Sequence, residues 1–173
     1  MKSKKIRQLV FASLCLAIGI IIPRFTGQAI NEMISPMHIP VLICGFVCGW
    51  MYGGIIGFIT PLISSFVFGM PPLYPIALSM AFELAAYGIV AGLMYKLLPK
   101  KIPYIYVTLV SAMLIGRGVL GLARTVLISN MPYSFEIFMT SAFVKAVPGI
   151  ILHIAIIPFV IIGLKAAKLM AND

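Results

Sequence analysis

Apolar residues along this chain form long, unbroken runs instead of alternating with polar ones. The 50 residues between Glu32 and Glu83 contain no Lys, Arg, Asp or Glu, which is more than twice the ~20 apolar residues that one bilayer crossing needs. Backbone in lipid must satisfy its own hydrogen bonds, and continuous apolar runs favour helices over the alternating strands of a β-barrel. The pattern predicts an all-α integral membrane protein with several crossings.

Breaks in these runs divide the chain into six predicted transmembrane helices within a single domain, residues 1–173. The first helix is expected over Gln8–Ile22 because Pro23 lacks a backbone donor, and residues 23–38 are expected to form a polar loop. Residues 39–68 split near Trp50–Gly54 into helices two and three, and Pro61 should kink the third. The other expected elements are a rigid connector (69–75), helix four (76–97), a basic turn (99–103), helix five (104–128), a turn (129–134) and a last segment (135–168) that Pro148-Gly149 divides before a final span (150–164).

Charged residues make up only 10% of the chain, whereas a soluble domain carries about 25%. The net charge of +9 does not indicate a nucleic-acid partner, because most cations flank the apolar runs and serve as topology signals. Nine of the thirteen fall on one side of the six-helix arrangement, which the positive-inside rule predicts to be cytoplasmic together with both termini. The nine are Lys2, Lys4, Lys5, Arg7, Lys96, Lys100, Lys101, Lys165 and Lys168.

Several classes of function are disfavoured by what the sequence contains. No polar stretch is long enough for a nucleotide-binding domain, so a partner would have to supply any ATP-driven work. We find no Ser/His/Asp constellation, Gly-rich phosphate loop or metal-ligand cluster, and we therefore predict no catalytic residue, metal or cofactor. Cys15, Cys44 and Cys48 all lie in apolar runs and are expected to be small buried side chains.

The remaining charges map to the outer half of the arrangement, and this asymmetry is the main functional signal. Glu83 lies about 10 Å below the outer surface on helix four, Arg117 and Arg124 are one heptad apart on helix five, and Lys145 has a similar depth. Ionised groups at membrane depth are costly unless they face a cavity or a partner, so we expect a shared polar site. The alternative is a purely structural cluster in which Glu83 pairs with an arginine and Lys145 reaches outward.

The charge balance of this outer set favours an anionic ligand. One positive charge is in surplus, and guanidinium groups bind carboxylate or phosphate through paired donors. The ligand is therefore expected to be a small molecule that carries an anionic group. The set consists of Arg24, Arg117, Arg124 and Lys145 against Glu32, Glu83 and Glu136.

His38 and several aromatic residues lie at the same predicted level. His38 follows the outer loop and is expected to gate or line the site, the alternative being a helix-capping or interfacial histidine. His153 is expected deep in the inner half, so the two histidines suggest no metal pair. The aromatic residues would supply apolar walls or form an interfacial belt; they are Phe25, Phe68, Tyr74, Tyr87 and Tyr133.

Small residues recur at four-residue spacing and predict close helix packing. The glycines are Gly45, Gly49, Gly53 and Gly57, followed by Gly88 and Gly92 on helix four. Packing within the molecule is the expected role of these glycines. Ser13 and Ala17 form a similar pair on helix one, which as an edge helix is open to a partner protein.

Three sequence stretches carry a family resemblance. Residues 35–45 read SPMHIPVLICG, residues 69–75 read GMPPLYP, and residues 145–150 read KAVPGI. With six predicted helices and an outer polar site, the chain resembles over nearly its full length the substrate-binding S components of energy-coupling factor (ECF) vitamin transporters. The first two stretches look specific to a subgroup that includes pantothenate-type S components.

The resemblance implies a multi-pass subunit of a prokaryotic cell membrane that captures a vitamin or precursor from outside under a first-loop lid. It would then topple onto a transmembrane T component driven by two cytoplasmic ATPases. An Ala-xxx-Ala pair docks the T component in this family, and Ser13-xxx-Ala17 is the closest match here. Pantothenate fits the surplus positive charge, as folate or a phosphorylated B6 compound would.

In this interpretation Arg117, Arg124 and Lys145 hold the anion, while Glu83 accepts ligand hydroxyl or amide donors or orients an arginine. Two alternatives stay open. One is a self-sufficient proton-coupled carrier that uses Glu83 as its proton site. The other is a structural subunit that binds no ligand.

Overall fold

The structure is a computed structural model that describes residues 2–128, 140, 146–167 and 169–170. Within these residues the chain is all-helical, as predicted, and five of the six α-helices are long and apolar enough to cross a membrane. The helices are α1 (Lys2–Ile34), α2 (His38–Cys48), α3 (Trp50–Phe68), α4 (Leu78–Leu97), α5 (Ile102–Leu127) and α6 (Val147–Ala166).

Helix α1 is longer than the sequence predicted. It continues through Pro23, breaks at Gly27 (φ 70°, ψ 160°) and ends at Ile34, so the predicted end at Ile22 and the loop over residues 23–38 are wrong. A proline removes one backbone donor, a loss that membrane helices tolerate where neighbouring groups compensate. Gly27 adopts a positive φ that a side chain would oppose.

The chain folds back on itself at Gly27. Asn31 Nδ2 donates to the backbone oxygen of Pro23 at 2.7 Å, although eight residues of straight helix rise about 12 Å. The hydroxyl of Thr26 also bonds to the Asn31 side chain. At the far end of the folded-back segment, a Cβ on Gly149 would come within 2.7 Å of the Met33 oxygen. The segment 28–34 therefore packs against the start of α6.

Helices α2 and α3 are joined at Gly49 (φ 94°), close to the predicted split. Helix α2 has only 11 residues, about 16 Å of rise, which is half of a ~30 Å hydrocarbon core. Gln8 Nε2 donates to the Cys48 oxygen at 3.2 Å, so α2 ends level with the beginning of α1. Its first residue, His38, consequently lies deep within the bundle. Helix α3 stays helical through Pro61.

Glycines bring α2, α3 and α4 into backbone contact. A Cβ on Gly88 would lie 2.1 Å from the Gly53 oxygen, and one on Gly57 would lie 2.2 Å from the Leu84 oxygen. A Cβ on Gly45 would lie 2.6 Å from the Gly88 oxygen. No side chain fits at these points, which confirms that these glycines serve packing within the molecule. The three cysteines are buried and free, as expected.

The remaining elements agree with the predicted order but differ at their starts. Gly69–Pro72 is non-helical, and a π-helical turn over Leu73–Ala77 then leads into α4. Helix α6 begins at Val147, three residues before the predicted Ile150, because Pro148 needs no donor in the first helical turn. The predicted turn 129–134 and the segment that begins at Phe135 lie outside the described residues, apart from residue 140.

Candidate functional site

Buried polar side chains from four helices meet inside the bundle. His38 begins α2, Glu83 and Tyr87 lie one turn apart on α4, Arg117 is on α5, and His153 is on α6. All five residues are between 1% and 8% exposed. Polar groups at membrane depth are stable only where they face one another or an enclosed space. We call these five residues the central cluster.

Glu83 is the hub of the central cluster. The Tyr87 hydroxyl donates to Glu83 Oε1 at 2.7 Å, and Arg117 Nη1 lies 3.3 Å from the same oxygen. The second carboxylate oxygen, Oε2, lies 3.6 Å from His38 Nε2. The arginine neutralises the buried carboxylate, and the tyrosine satisfies one of its lone pairs, so both charges persist away from water.

Local backbone features hold the partners of Glu83 in place. A Cβ on Gly116 would lie 2.2 Å from the Tyr87 ring, so the missing side chain lets the ring lie on the backbone of α5 beside Arg117. His38 Nδ1 lies 2.9 Å from the Ser35 oxygen. Because a carbonyl only accepts, Nδ1 carries the hydrogen and Nε2 points toward Glu83.

Three nitrogen atoms of the central cluster have no hydrogen-bond partner in the described part of the chain. They are His38 Nε2, Arg117 Nε and His153 Nε2. A buried polar atom left in this state costs about 1–3 kcal/mol. Several such atoms thus surround one ion pair, and each has a hydrogen-bonding capacity that the described residues leave unused.

His153 belongs to the central cluster, although the predicted site did not include it. Its ring centroid lies 5.8 Å from that of His38. Counted from Val147, His153 is six residues, or about 9 Å, into its helix. In the described residues no group of three His, Cys, Asp or Glu side chains is arranged to hold a metal ion.

A crevice between α5 and α6 adjoins the central cluster. Its volume is about 110 Å³, and Arg117 is its polar lining residue. Apolar atoms line almost all of the crevice, so Arg117 borders it with the carbon atoms of its side chain, and its guanidinium group faces Glu83. The other lining residues are Val110, Met113, Leu114, Ile150 and Ile154.

The other residues predicted for the site lie outside the central cluster. Arg124 is half-buried on α5, seven residues and about 10 Å beyond Arg117. Tyr74 is exposed and its hydroxyl bonds to the Leu127 oxygen, which ties the connector to the end of α5. The exposed Arg24 lies over the Phe68 ring, 4.4 Å from its centroid. Lys145, Glu136 and Tyr133 lie outside the described residues.

Ser13 and Ala17 are exposed on α1, and Ala12 and Cys15 face the bundle. The Ser13 hydroxyl bonds to the Leu9 oxygen of its own helix at 2.9 Å. The pair therefore lies on a face of α1 turned away from the other helices.

Comparison with known proteins identifies the family. Residues 7–167 match the family described as ECF transporter, substrate-specific component. The chain belongs to this family. No curated protein and no solved structure matches it. The protein is thus a multi-pass S component, the substrate-binding subunit of an ECF importer, and it acts with T and ATPase components on a small-molecule substrate. The S component is a transport subunit and not an enzyme.

Proposed function

We propose that this S component binds a small anionic vitamin or precursor at the central cluster, with pantothenate as the preferred substrate. The observation that carries the proposal is the set of three unpartnered nitrogens around the Glu83–Arg117 ion pair. A purely structural ion pair has no need of further donors and acceptors beside it. Folate and phosphorylated B6 compounds are the competing substrates.

The charge balance of the central cluster indicates that the anionic group and the uncharged groups of the ligand bind at different residues. Glu83 already neutralises Arg117, so the pair offers no surplus charge to an anion. We assign the ligand's carboxylate to Arg124 and Lys145, and its uncharged hydroxyl and amide groups to Glu83, His38 and Arg117. Arg124 is about 10 Å beyond Arg117 along α5. Extended pantothenate is about as long as three residues of chain, ~10 Å, and has its carboxylate at one end and its hydroxyls at the other.

The transport cycle follows from the family resemblance and the distribution of cations. The substrate enters from the side opposite the nine clustered cations, beneath the folded-back segment 28–34 of α1, which serves as the lid. The loaded subunit then topples onto the T component in the cell membrane of a prokaryote. Two cytoplasmic ATPases drive release inside, and the Ser13/Ala17 face of α1 makes the docking contact.

Binding to the purified protein tests this proposal, with a panel of pantothenate, folate, pyridoxal phosphate and pantothenol. Pantothenol has a hydroxyl in place of the carboxylate. We expect pantothenate to bind most tightly, Arg124→Ala to weaken pantothenate and not pantothenol, and Arg117→Ala to weaken both. Arg24→Ala, a change to an exposed arginine that contacts Phe68 instead of the cluster, is the control.

If neither Arg117→Ala nor Arg124→Ala weakens the best ligand, the site assignment is wrong. A folded protein that shows no thermal shift with any vitamin would favour a ligand-free structural subunit, because a ligand bound only by the folded state must stabilise it.

A proton-coupled carrier is the second candidate, and the burial of Glu83 beside His38 is the observation that favours it. Uptake by this chain alone, in liposomes without ATP and with an imposed pH gradient, would support it. Loss of that uptake in Glu83→Gln would assign the proton site. We expect no such uptake without the T and ATPase components.

A further inference from the structure

Two residues with a positive φ bound the folded-back segment 28–34 of α1. Gly27 (φ 70°) precedes it and Ser35 (φ 48°) follows it, and Ser35 is the one non-glycine residue with a positive φ in the described chain. Glycine adopts this conformation freely, whereas other residues keep it only where their surroundings hold it. The contacts of Ser35 therefore show what holds the segment in place.

The backbone oxygen of Ser35 is bonded to two histidines of the central cluster. On α2, His38 donates to it from its backbone N–H at 3.0 Å and from Nδ1 at 2.9 Å. On α6, the His153 ring also hydrogen-bonds to the Ser35 backbone. Since Nε2 of His153 has no hydrogen-bond partner in the described residues, Nδ1 is the donor. One carbonyl at the end of the segment thus joins α1 to both α2 and α6.

Each of these two imidazole rings reaches from the segment to the central cluster. Because Nδ1 donates to Ser35, Nε2 carries no hydrogen in the neutral ring and is an acceptor. Both Nε2 atoms are buried without a hydrogen-bond partner in the described chain, and that of His38 lies 3.6 Å from Glu83 Oε2. A donor bound at Nε2 would hold the ring whose other nitrogen holds Ser35, and hydrogen bonds connected in this way strengthen one another.

The segment also rests on α6, close to the same histidine. Gly149 lies four residues, one helical turn, before His153. A Cβ on Gly149 would come within 2.7 Å of the Met33 oxygen and 3.0 Å of the Ile34 oxygen. A side chain at Gly149 would therefore displace the backbone of the segment.

We propose that Ser35 is a latch: a substrate that donates to Nε2 of His38 and His153 holds the folded-back segment closed through the Ser35 carbonyl. This inference rests on the proposed binding of the substrate at the central cluster and on the proposed role of the segment as a lid. Ser35 and Gly149 are positioning residues, since they act on the substrate through the histidines and the segment. They therefore control how quickly a bound substrate leaves.

The first test measures the position of the segment in the full chain in lipid nanodiscs. Spin labels are attached to cysteines introduced at Ile30 and Ile151, which are both exposed, whereas the native cysteines are buried. Without any vitamin, His153→Phe should broaden the distribution of distances between the labels, because it removes a hydrogen bond to Ser35. His153→Asn, whose amide group can donate from the place of Nδ1, should broaden it less. An unchanged distribution in His153→Phe would contradict the latch.

The second test changes the latch residue. Ser35→Thr should broaden the distance distribution and make pantothenate dissociate ~10-fold faster than from Ser35→Gly. The reason is that a β-branched residue opposes a positive φ, which glycine adopts without strain. Equal dissociation rates in the two variants would contradict the latch.

The third test displaces the segment from α6 and keeps the proposal testable if Ser35→Thr misfolds. Gly149→Ala should broaden the distance distribution and speed the dissociation of pantothenate without slowing its association. Gly163→Ala is the matched control, because Gly163 is on the same helix and nothing lies within 4 Å of its added carbon. Equal dissociation rates in these two variants would contradict the role of Gly149.

The two proposals fail in different ways. If no vitamin in the panel binds, the proposed function fails, and the label distances still decide whether the histidines hold the segment. If pantothenate binds, yet neither the label distances nor its dissociation rate respond to the variants, the latch is wrong and the proposed function stands.

Discussion

Glu83 and Arg117 are stable in the bundle only as a pair. Each is nearly inaccessible, and each is the nearest opposite charge of the other in the described chain. Removing one partner leaves a buried charge without compensation, whereas removing both charges leaves an uncharged contact. The pair's effect on stability and its effect on ligand binding can therefore be separated.

We expect Glu83→Gln and Arg117→Met each to lower the free energy of unfolding by ~3–5 kcal/mol, because the remaining charge is buried alone. The double variant should recover most of that loss and still fail to bind the vitamin. Unfolding in detergent, followed together with ligand binding, measures both effects. If the two losses simply add, the residues do not form the stabilising pair.

The convergence of these residues was predictable from the sequence because the cost of a charge in lipid is independent of fold details. This argument places Glu83 and Arg117 at a shared site, whereas His38 is predicted there because it follows the expected outer loop. The hydrogen bond from Tyr87 was not anticipated, since it requires the absent side chain of Gly116 on another helix. Arg124 and Tyr74 were predicted at the site from their depth in the membrane alone. Depth does not determine the direction in which a side chain points.

Among the elements, the end of α1 is determined by tertiary contacts and not by the local sequence. Pro23 is the strongest helix-ending signal in its region, yet the helix passes through it. The chain turns at Gly27 instead, where the Asn31 side chain reaches the Pro23 oxygen and Arg24 lies on Phe68 of α3. The pattern of apolar and polar residues in the sequence does not predict such contacts between helices.

The glycine contacts between α3 and α4 predict a position-specific intolerance. Gly88→Ala should destabilise the protein by ~1–3 kcal/mol, because its methyl group would press on the Gly53 backbone and the helices would have to separate. Gly118→Ala on α5 is the matched control, since nothing lies within 4 Å of its added carbon. Thermal unfolding of the two variants measures the difference, and equal unfolding temperatures would contradict the packing argument.

For the molecule as a whole, the distribution of cations predicts the orientation in the membrane. We expect a cysteine at Phe25 to react with a membrane-impermeant thiol reagent in intact cells and a cysteine at Lys101 to be protected until the membrane is opened. The native cysteines are at most 4% exposed, so they should give little background labelling. The reverse labelling pattern would invert the topology and contradict uptake from the outside.

Assembly with the T component should depend on the outward face of α1. Ala17→Trp places a bulky ring on this face and should weaken the complex at least ~10-fold, or ~1.4 kcal/mol, without changing vitamin binding. Phe159→Trp on α6, where Phe159 is 80% exposed, is the control. Co-purification with the T and ATPase components measures assembly, and an intact complex with Ala17→Trp would place the docking contact elsewhere.

The described chain has six α-helices, five of them long and apolar enough to cross a membrane, and α2 is the short one. Hydropathy identifies apolar residues, but it does not show that α2 ends after 11 of them. Its turn at Gly49 depends on glycine contacts with two other helices.

The short length of α2 also sets the depth of the proposed binding site. His38 lies about 15 Å from the end of α2 at Cys48, close to the midpoint of a ~30 Å hydrocarbon core. If the substrate binds at the central cluster as proposed, it reaches mid-depth before any ATP is spent. After toppling, its path to release is then about ten helical residues long.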